Sequence, residues 1–420
     1  MKINNLSEKY LQPLSIKISN QKDLKSISAG LTRILPLTII GSLFFLIANF
    51  PIESYKNFLL EANLTNALLV PFNITFGMIS IYATFFIAYS RAETENLDAV
   101  LTGIMAIVSF LILTPITSGE EGLSLSLDWL GSRGLFVAIL VGILITRLYG
   151  FIVKKNWVIK MPDGVPPFVE KSFSSLIPAT IIAILMTIIA FLFTFTSYQN
   201  IHGLIFNILQ IPLMNLGGSF GAFLFAYVLI QILWWFGIHG MNVVGSIMTP
   251  IWLGLDATRL AQIQAGEEIT TFVGQAFVTA IGGPALAVTL TFLIFAKSKQ
   301  LKAVSKIALP AAIFNIAEPV NFGIPTVMNP MLFLPIAIII PIVNVITLYS
   351  GMALGLLSPL TGVQVPQQVP RGIWGFVQGN WSIGIWQILT IILNIAILYP
   401  FAKAYDQSIL KKEAEIKEVA

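Results

Sequence analysis

Apolar stretches of about twenty residues recur along this 420-residue chain with few charges inside them. Backbone polar groups in hydrocarbon must be satisfied within the protein, so such stretches fold as helices and pack on one another. Charged residues make up 10% of the chain, against roughly 25% in a soluble domain. The expected fold is an all-α polytopic membrane protein, with about ten transmembrane helices, re-entrant hairpins and interfacial amphipathic helices. The spans fall at about 29–50, 69–90, 97–116, 134–153, 175–196, 217–236, 237–256, 269–295, 331–355 and 381–402. The segment 237–256 is the weakest of these and is read as either crossing or re-entrant. The stretch 307–330 is too broken by Pro and polar residues for an ordinary span and is read as a re-entrant hairpin.

Charge placement orients the spans. Arg147, Lys154, Lys155, Lys160 and Lys171 form one basic loop, and Lys297, Lys299, Lys302 and Lys306 a second. Both are expected in the cytoplasm, as is the tail with Lys403, Lys411 and Lys412. An even number of crossings then puts both termini inside. The net charge of +4 is dispersed between apolar spans, with no basic face interleaved with aromatics, so nucleic acid is excluded as a partner. The polar N-terminus, apolar at Leu6, Tyr10, Leu14 and Ile18, reads as an amphipathic surface helix and not as a cleavable signal. The expected organisation is an amphipathic segment at 1–27, a transmembrane half at 28–196, an interfacial linker helix at 197–215, a second transmembrane half at 216–402 and a cytoplasmic tail at 403–420.

Two polar groups interrupt the apolar pattern. The first is His239 with Asn242, framed by Trp234 and Trp235; the second is Glu318 between Asn315 and Asn321, beside Pro319 and Gly323. An ionisable residue at membrane depth is costly and marks a functional site by default. His and Asn offer donors and acceptors, while an ionised Glu only accepts. That mixture suits a ligand rich in hydroxyl groups, and the Trp rings suit the apolar faces of a sugar. Gln364, Gln367, Gln368, Arg371 and Trp374, in the Pro- and Gly-containing loop 356–380, could add donors. By contrast His202 reads as structural, and Arg33 and Arg147 as residues snorkelling to the inner interface.

Other chemistry is thinly represented. The chain has no Cys, which removes disulfides, thiolate metal sites and a cysteine nucleophile. It has no phosphate-cradling Gly-rich loop, no HExxH and no GxSxG. No metal and no cofactor are expected. The residues alone leave open a proton-coupled secondary transporter of a small polar solute using Glu318 and a sugar receptor that moves nothing.

Three runs carry a resemblance: Trp-Trp-Phe-Gly-Ile-His-Gly at 234–240, Asn-Ile-Ala-Glu-Pro-Val-Asn-Phe-Gly at 315–323, and Pro-Asp-Gly-Val-Pro-Pro at 162–167. Together they resemble enzyme IIC, the membrane component of bacterial sugar phosphotransferase systems, of the lactose/cellobiose/diacetylchitobiose type. The resemblance implies a homodimer formed through the N-terminal half and one sugar held in the C-terminal half, in a bacterial inner membrane. It implies that His239 contacts the sugar near its 6-hydroxyl and that Glu318 bonds the sugar and assists its phosphorylation. Asn242, Asn315, Asn321, Trp234, Trp374 and Gln367 are the further candidates for sugar contact. It also implies a separate soluble IIB protein as phosphocysteine donor, because this chain has no Cys, and a β-linked disaccharide such as cellobiose as cargo.

Overall fold

The structure is a computed structural model and describes residues 21–50, 53–119, 122–162, 164–269, 271–324, 326–379 and 381–419. Most of the expected surface helix at 1–27 lies outside the described residues. The chain divides into two compact units. The first is Asn20–Leu216 with Thr249–Thr258; the second takes Gly217–Met248 and Arg259–Ala420. Among the described residues, six helices are long and apolar enough to cross a membrane, or up to eight if each of two bent pairs counts as one span.

In the first unit, α1 (Lys22–Arg33) and α2 (Leu35–Ala48) replace the single expected span at 29–50, with a 40° bend between them. Pro36 in the first turn of α2 explains the break, since it removes an amide donor there. Next come α3 (Glu53–Glu61), α4 (Leu64–Thr75), α5 (Ile79–Glu93) and α6 (Ala99–Leu113). Asp98 starts α6 by accepting the Leu101 N–H at 3.0 Å. A short antiparallel hairpin then departs from the all-helical expectation: β1 (Ile116–Gly119) pairs with β2 (Gly122–Leu125), with Thr117 opposite Ser124 and their hydroxyls 2.8 Å apart. It lies in a loop, outside the spans. After α7 (Leu127–Leu130) come α8 (Leu135–Lys154), α9 (Pro167–Ser174), α10 (Leu176–Phe193) and α11 (Ile201–Gly217).

Helix α5 is the centre of this unit. It packs on α1, α6 and α8, and its Ala83, Ile87 and Ala88 are fully buried. Hydroxyls inside the bundle return their bonds to helix carbonyls, Thr84 to Ser80 and Thr146 to Gly142. The charges gather at one end. Buried Arg91 donates to Asp23 at 2.8 Å and to Glu95 at 2.9 Å, Lys154 meets Glu95 at 3.0 Å, and Arg147 pairs with Asp23. This ties α1, α5 and α8 together. The Lys154 and Arg91 hydrogen bonds hold the Glu95 carboxyl down at about 2. His202 is fully buried between the rings of Phe110 and Trp129, 3.1 Å from the Thr114 hydroxyl, as a structural residue would be.

In the second unit, α12 (Phe220–Trp235) is followed by a single turn, α13 (Gly240–Val243), and by α14 (Gly245–Ala265), whose residues Thr249–Thr258 are assigned to the first unit; one segment was expected at 237–256. The expected span 269–295 is two pieces, α15 (Gln275–Ile281) and α16 (Ala285–Phe295), broken at Gly282-Gly283-Pro284. The region read as a hairpin at 307–330 is entered by α17 (Lys299–Ile313), which already begins in the basic loop, and continues in α18 (Glu318–Gly323). Then α19 (Pro330–Ala353), α20 (Ile373–Gly379) and α21 (Trp381–Val419) complete the chain. Helix α21 runs well past the expected boundary at 402, because the tail is built from strong helix formers. Its Asp406 accepts the N–H groups of Lys297 and Ser298 at 2.8 and 2.9 Å and so fixes the start of α17. The core of this unit joins Phe292, Leu301, Val320, Leu332, Ile340 and Leu398.

Candidate functional site

Two helices of the second unit stop in the same way, and the site forms at their ends. Helix α12 ends at Gly237, whose φ of +78° allows Ile238 N–H to reach the Leu233 carbonyl (2.9 Å) and Gly237 N–H the Trp234 carbonyl (3.0 Å). Helix α17 ends at Asn315, φ +58°, with Ile316 N–H on the Ala311 carbonyl (2.9 Å) and Asn315 N–H on that of Ala312 (3.1 Å). Both are left-handed helix terminations that satisfy the last carbonyls. The chain leaving each carries a chemically active side chain: His239 two residues on in the first case, Glu318 three residues on in the second.

Those side chains meet at one cavity of about 430 Å³, within the usual range for small-molecule sites. Its walls include Trp234, His239, Asn315, Glu318, Asn321 and Gln367, all singled out from the sequence. The His239 ring lies 4.4 Å from that of Trp234, tilted by 50°, and its Nδ1 accepts the Asn242 N–H at 3.3 Å. That bond fixes the ring and leaves Nε2 for a ligand. Glu318 sits in the first turn of α18 beside Pro319 and lines the same cavity as His239. The carboxylate itself has no hydrogen-bond partner among the described residues and is exposed. Asn321 Oδ1 accepts weakly from the Thr326 hydroxyl at 3.3 Å.

Other candidates fall elsewhere. Asn242 is exposed and outside the cavity wall; it contributes its backbone N–H to His239. Trp374 is 2% exposed, does not line the cavity, and its indole N–H has no partner among the described residues. Its place in a seven-residue helix turns the ring into the protein, which no loop composition reveals. Gln364 is buried and also off the wall, donating to the Gly362 carbonyl at 3.0 Å. Conversely, Tyr227 and Gln231 line the cavity without having been picked out. A signal existed: Tyr227, Gln231 and Trp234 follow at i, i+4 and i+7 along α12, a polar and aromatic stripe on an otherwise apolar helix.

The arrangement presents one carboxylate, one imidazole and several amides to a cavity with two Trp rings. It accepts and donates hydrogen bonds in several directions and offers flat apolar faces. It holds no cluster of metal-ligating side chains among the described residues.

Comparison with known proteins fixes the family. Residues 28–341 match the family model described as "Phosphotransferase system, EIIC". This chain belongs to that family. It is similar to the lichenan permease IIC component of Bacillus subtilis, with 37% identity covering 100% of this chain and 97% of the relative. It is similar to the cellobiose-specific EIIC component of Geobacillus stearothermophilus, with 36% identity over 95% of this chain and 93% of the relative. The crystal structure of ChbC, the IIC component of an N,N'-diacetylchitobiose-specific phosphotransferase system, superposes with a TM-score of 0.90 at 35% identity, covering 97% of this chain and 99% of that one. The chain is therefore a multi-pass helical membrane protein of the EIIC family.

Proposed function

We propose that this EIIC protein is the sugar permease subunit of a phosphoenolpyruvate-dependent phosphotransferase system, carrying a β-linked disaccharide of the cellobiose kind. The observation that supports this best is the joint presence of Glu318, His239 and Trp234 on one cavity wall. Relatives named for lichenan, cellobiose and diacetylchitobiose point to the same class of cargo. In this reading His239 Nε2 contacts the sugar near its 6-hydroxyl, and Glu318 accepts that hydroxyl's hydrogen bond and assists its phosphorylation. Asn321, Gln367 and Trp234 hold the remaining hydroxyls and a ring face. A separate IIB protein supplies the phosphoryl group from a phosphocysteine. The product gains roughly two negative charges, by analogy with phosphate on side chains. It then fits poorly beside Glu318 and cannot recross hydrocarbon, which makes uptake one-way.

The proposed topology keeps ten crossings and both termini in the cytoplasm of a bacterial inner membrane. The eight spans counted with their bent pairs are joined by the shorter Ala99–Leu113 and by Gly245–Ala265. The N-terminal half serves as the homodimer scaffold, and the C-terminal half moves with the sugar. For docking of IIB we favour α17. Its Lys299, Lys302 and Lys306 are exposed, with no ion pair among the described residues, whereas Lys154 and Lys171 are engaged by Glu95 and Asp98. Charge reversal on α17 is expected to slow IIB-dependent phosphorylation while sugar binding stays intact. The test of the reading is uptake of labelled cellobiose into vesicles. Accumulation as the phosphate, dependent on phosphorylated IIB and indifferent to a protonophore, is the expected result. Accumulation of free sugar that a protonophore abolishes would reject it.

A further inference from the structure

Asn315 occupies a helix-terminating position that glycine fills at least cost, yet it carries a side chain. That side chain is committed to the protein. Nδ2 donates both its protons, to the carbonyls of Gln367 (2.8 Å) and Val369 (2.9 Å). Oδ1 accepts from Arg371 Nε at 3.3 Å. The amide orientation is unambiguous, because a flipped group would set its oxygen against two carbonyls. Arg371 is buried, lies outside the cavity wall, and donates on to the Gly283 carbonyl at 2.7 Å. Gly282, with φ +53°, passes so close that a Cβ would overlap the guanidinium. Tyr227 donates to the Gly282 carbonyl. Buried Gln387 completes the seam: its Oε1 accepts the Gly372 and Gly375 N–H groups at 2.8 and 2.9 Å, and its Nε2 donates to the Ala280 carbonyl at 2.9 Å.

The three segments joined in this way share one property. Each is a break in regular structure at which backbone polar groups come free: the α15–α16 break, the end of α17, and the irregular strand of chain before α20. Each also supplies cavity wall: Gly282 to Ala285, Asn315 to Glu318, and Gln367 with Gln368. Arg371 has no carboxylate partner among the described residues, so its charge is spent on carbonyl and amide oxygens. A guanidinium suits this because its donors project as a rigid planar fork and reach two segments at once.

We infer that Asn315 and Arg371 form a positioning clamp, which holds Gln367 and Gln368 against the cavity and sets which sugar fits, without either clamp residue itself serving as a sugar ligand. This rests on the sugar-binding reading above and reassigns Asn315 within it. The clamp orders loop 364–372 relative to the Glu318 segment. Breaking it loosens the Gln side of the cavity and leaves the His239 side in place.

The decisive variant is Asn315→Gly, which keeps the left-handed backbone and removes only the side chain. Hydrogen–deuterium exchange of the whole protein tests the clamp without any ligand. Exchange over 364–376 is expected to rise at least tenfold in Asn315→Gly, with 201–217 unchanged; unchanged exchange over 364–376 overturns the clamp. Equilibrium binding of cellobiose then tests the consequence. Asn315→Gly is expected to weaken binding about tenfold or more, and adding Gln367→Ala plus Gln368→Ala is expected to cost little further, since the clamp acts through those residues. Losses that multiply would mean Asn315 acts on its own, as a ligand. Asn315→Asp separates the two again: a carboxylate still accepts from Arg371 and from a sugar but cannot donate to Gln367 and Val369. Loss of binding supports the clamp, and retained binding assigns Asn315 to the sugar. Should wild-type protein bind no cellobiose, the sugar reading fails while the exchange result still decides the clamp.

Discussion

The two units use polar side chains in opposite ways. In the first, charges neutralise one another at the bundle end: Arg91 with Asp23 and Glu95, Lys154 with Glu95, Arg33 with Glu93, Lys171 with Asp98. In the second, Glu318 faces a cavity with no hydrogen-bond partner among the described residues, and buried Arg371 is spent on broken backbone. The first arrangement holds helices together and leaves nothing over. The second keeps bonding capacity in reserve for a ligand. A carboxylate that satisfies itself stabilises a fold, whereas one left open serves a substrate.

The contrast can be broken at several points. The largest expected effect is a matched pair of neutralisations. Glu318→Gln should abolish phosphorylation-coupled uptake with little change in thermal stability; Glu95→Gln should leave uptake near wild type and lower thermal stability only slightly. Equal losses of uptake would remove the distinction. Next comes Gly282→Ala, which combines a left-handed φ with overlap on Arg371. It should destabilise the second unit by about 2–4 kcal/mol through strain and a disturbed buried bond, read as a lowered melting temperature in detergent. In the first unit, Arg91→Met strips partners from Asp23 and Glu95 and should cost about 1–3 kcal/mol, with sugar affinity unchanged.

The smallest effect is a pH dependence. Glu95 is held at about 2, below its ordinary value, so its contribution is fully present above the unfolded value near 4.5 and is lost as pH falls through 2. Because this carboxylate is partly exposed and its partner Lys154 is mostly exposed, solvent screening keeps the contribution small. Acid unfolding curves of the wild type and Glu95→Gln should approach each other as pH falls below 4.5 and converge only once it has passed about 2. Curves that stay parallel to the lowest pH would show that Glu95 contributes nothing through its charge.

Much of this was legible in the sequence, and the reason is the solvent. Hydrocarbon demands apolar runs, so spans such as Leu135–Lys154 and Leu176–Phe193 sit where 134–153 and 175–196 were read. The same demand exposes Glu318 and His239, which have no cheap reason to be there. What stayed hidden is direction. Loop 356–380 was rich in donors, but composition could not say that Gln367 and Gln368 face the cavity while Trp374 and Arg371 lie behind it. Breaks inside spans were also missed. The apolar neighbours of Gly282 mask its break, although Gly-Gly-Pro at 282–284 is a strong breaker. The overrun of α21 past residue 402 follows from a charged tail that favours helix once it has left the apolar span.

The most direct measurement is equilibrium binding of labelled cellobiose to the purified protein, wild type beside Glu318→Gln and His239→Ala. The account predicts binding by the wild type and at least a tenfold weakening in each variant, consistent with loss of a hydrogen bond to a charged or oriented group worth about 1.5–3 kcal/mol. Binding that persists at wild-type affinity in both variants would contradict it and place the site away from the Glu318 cavity.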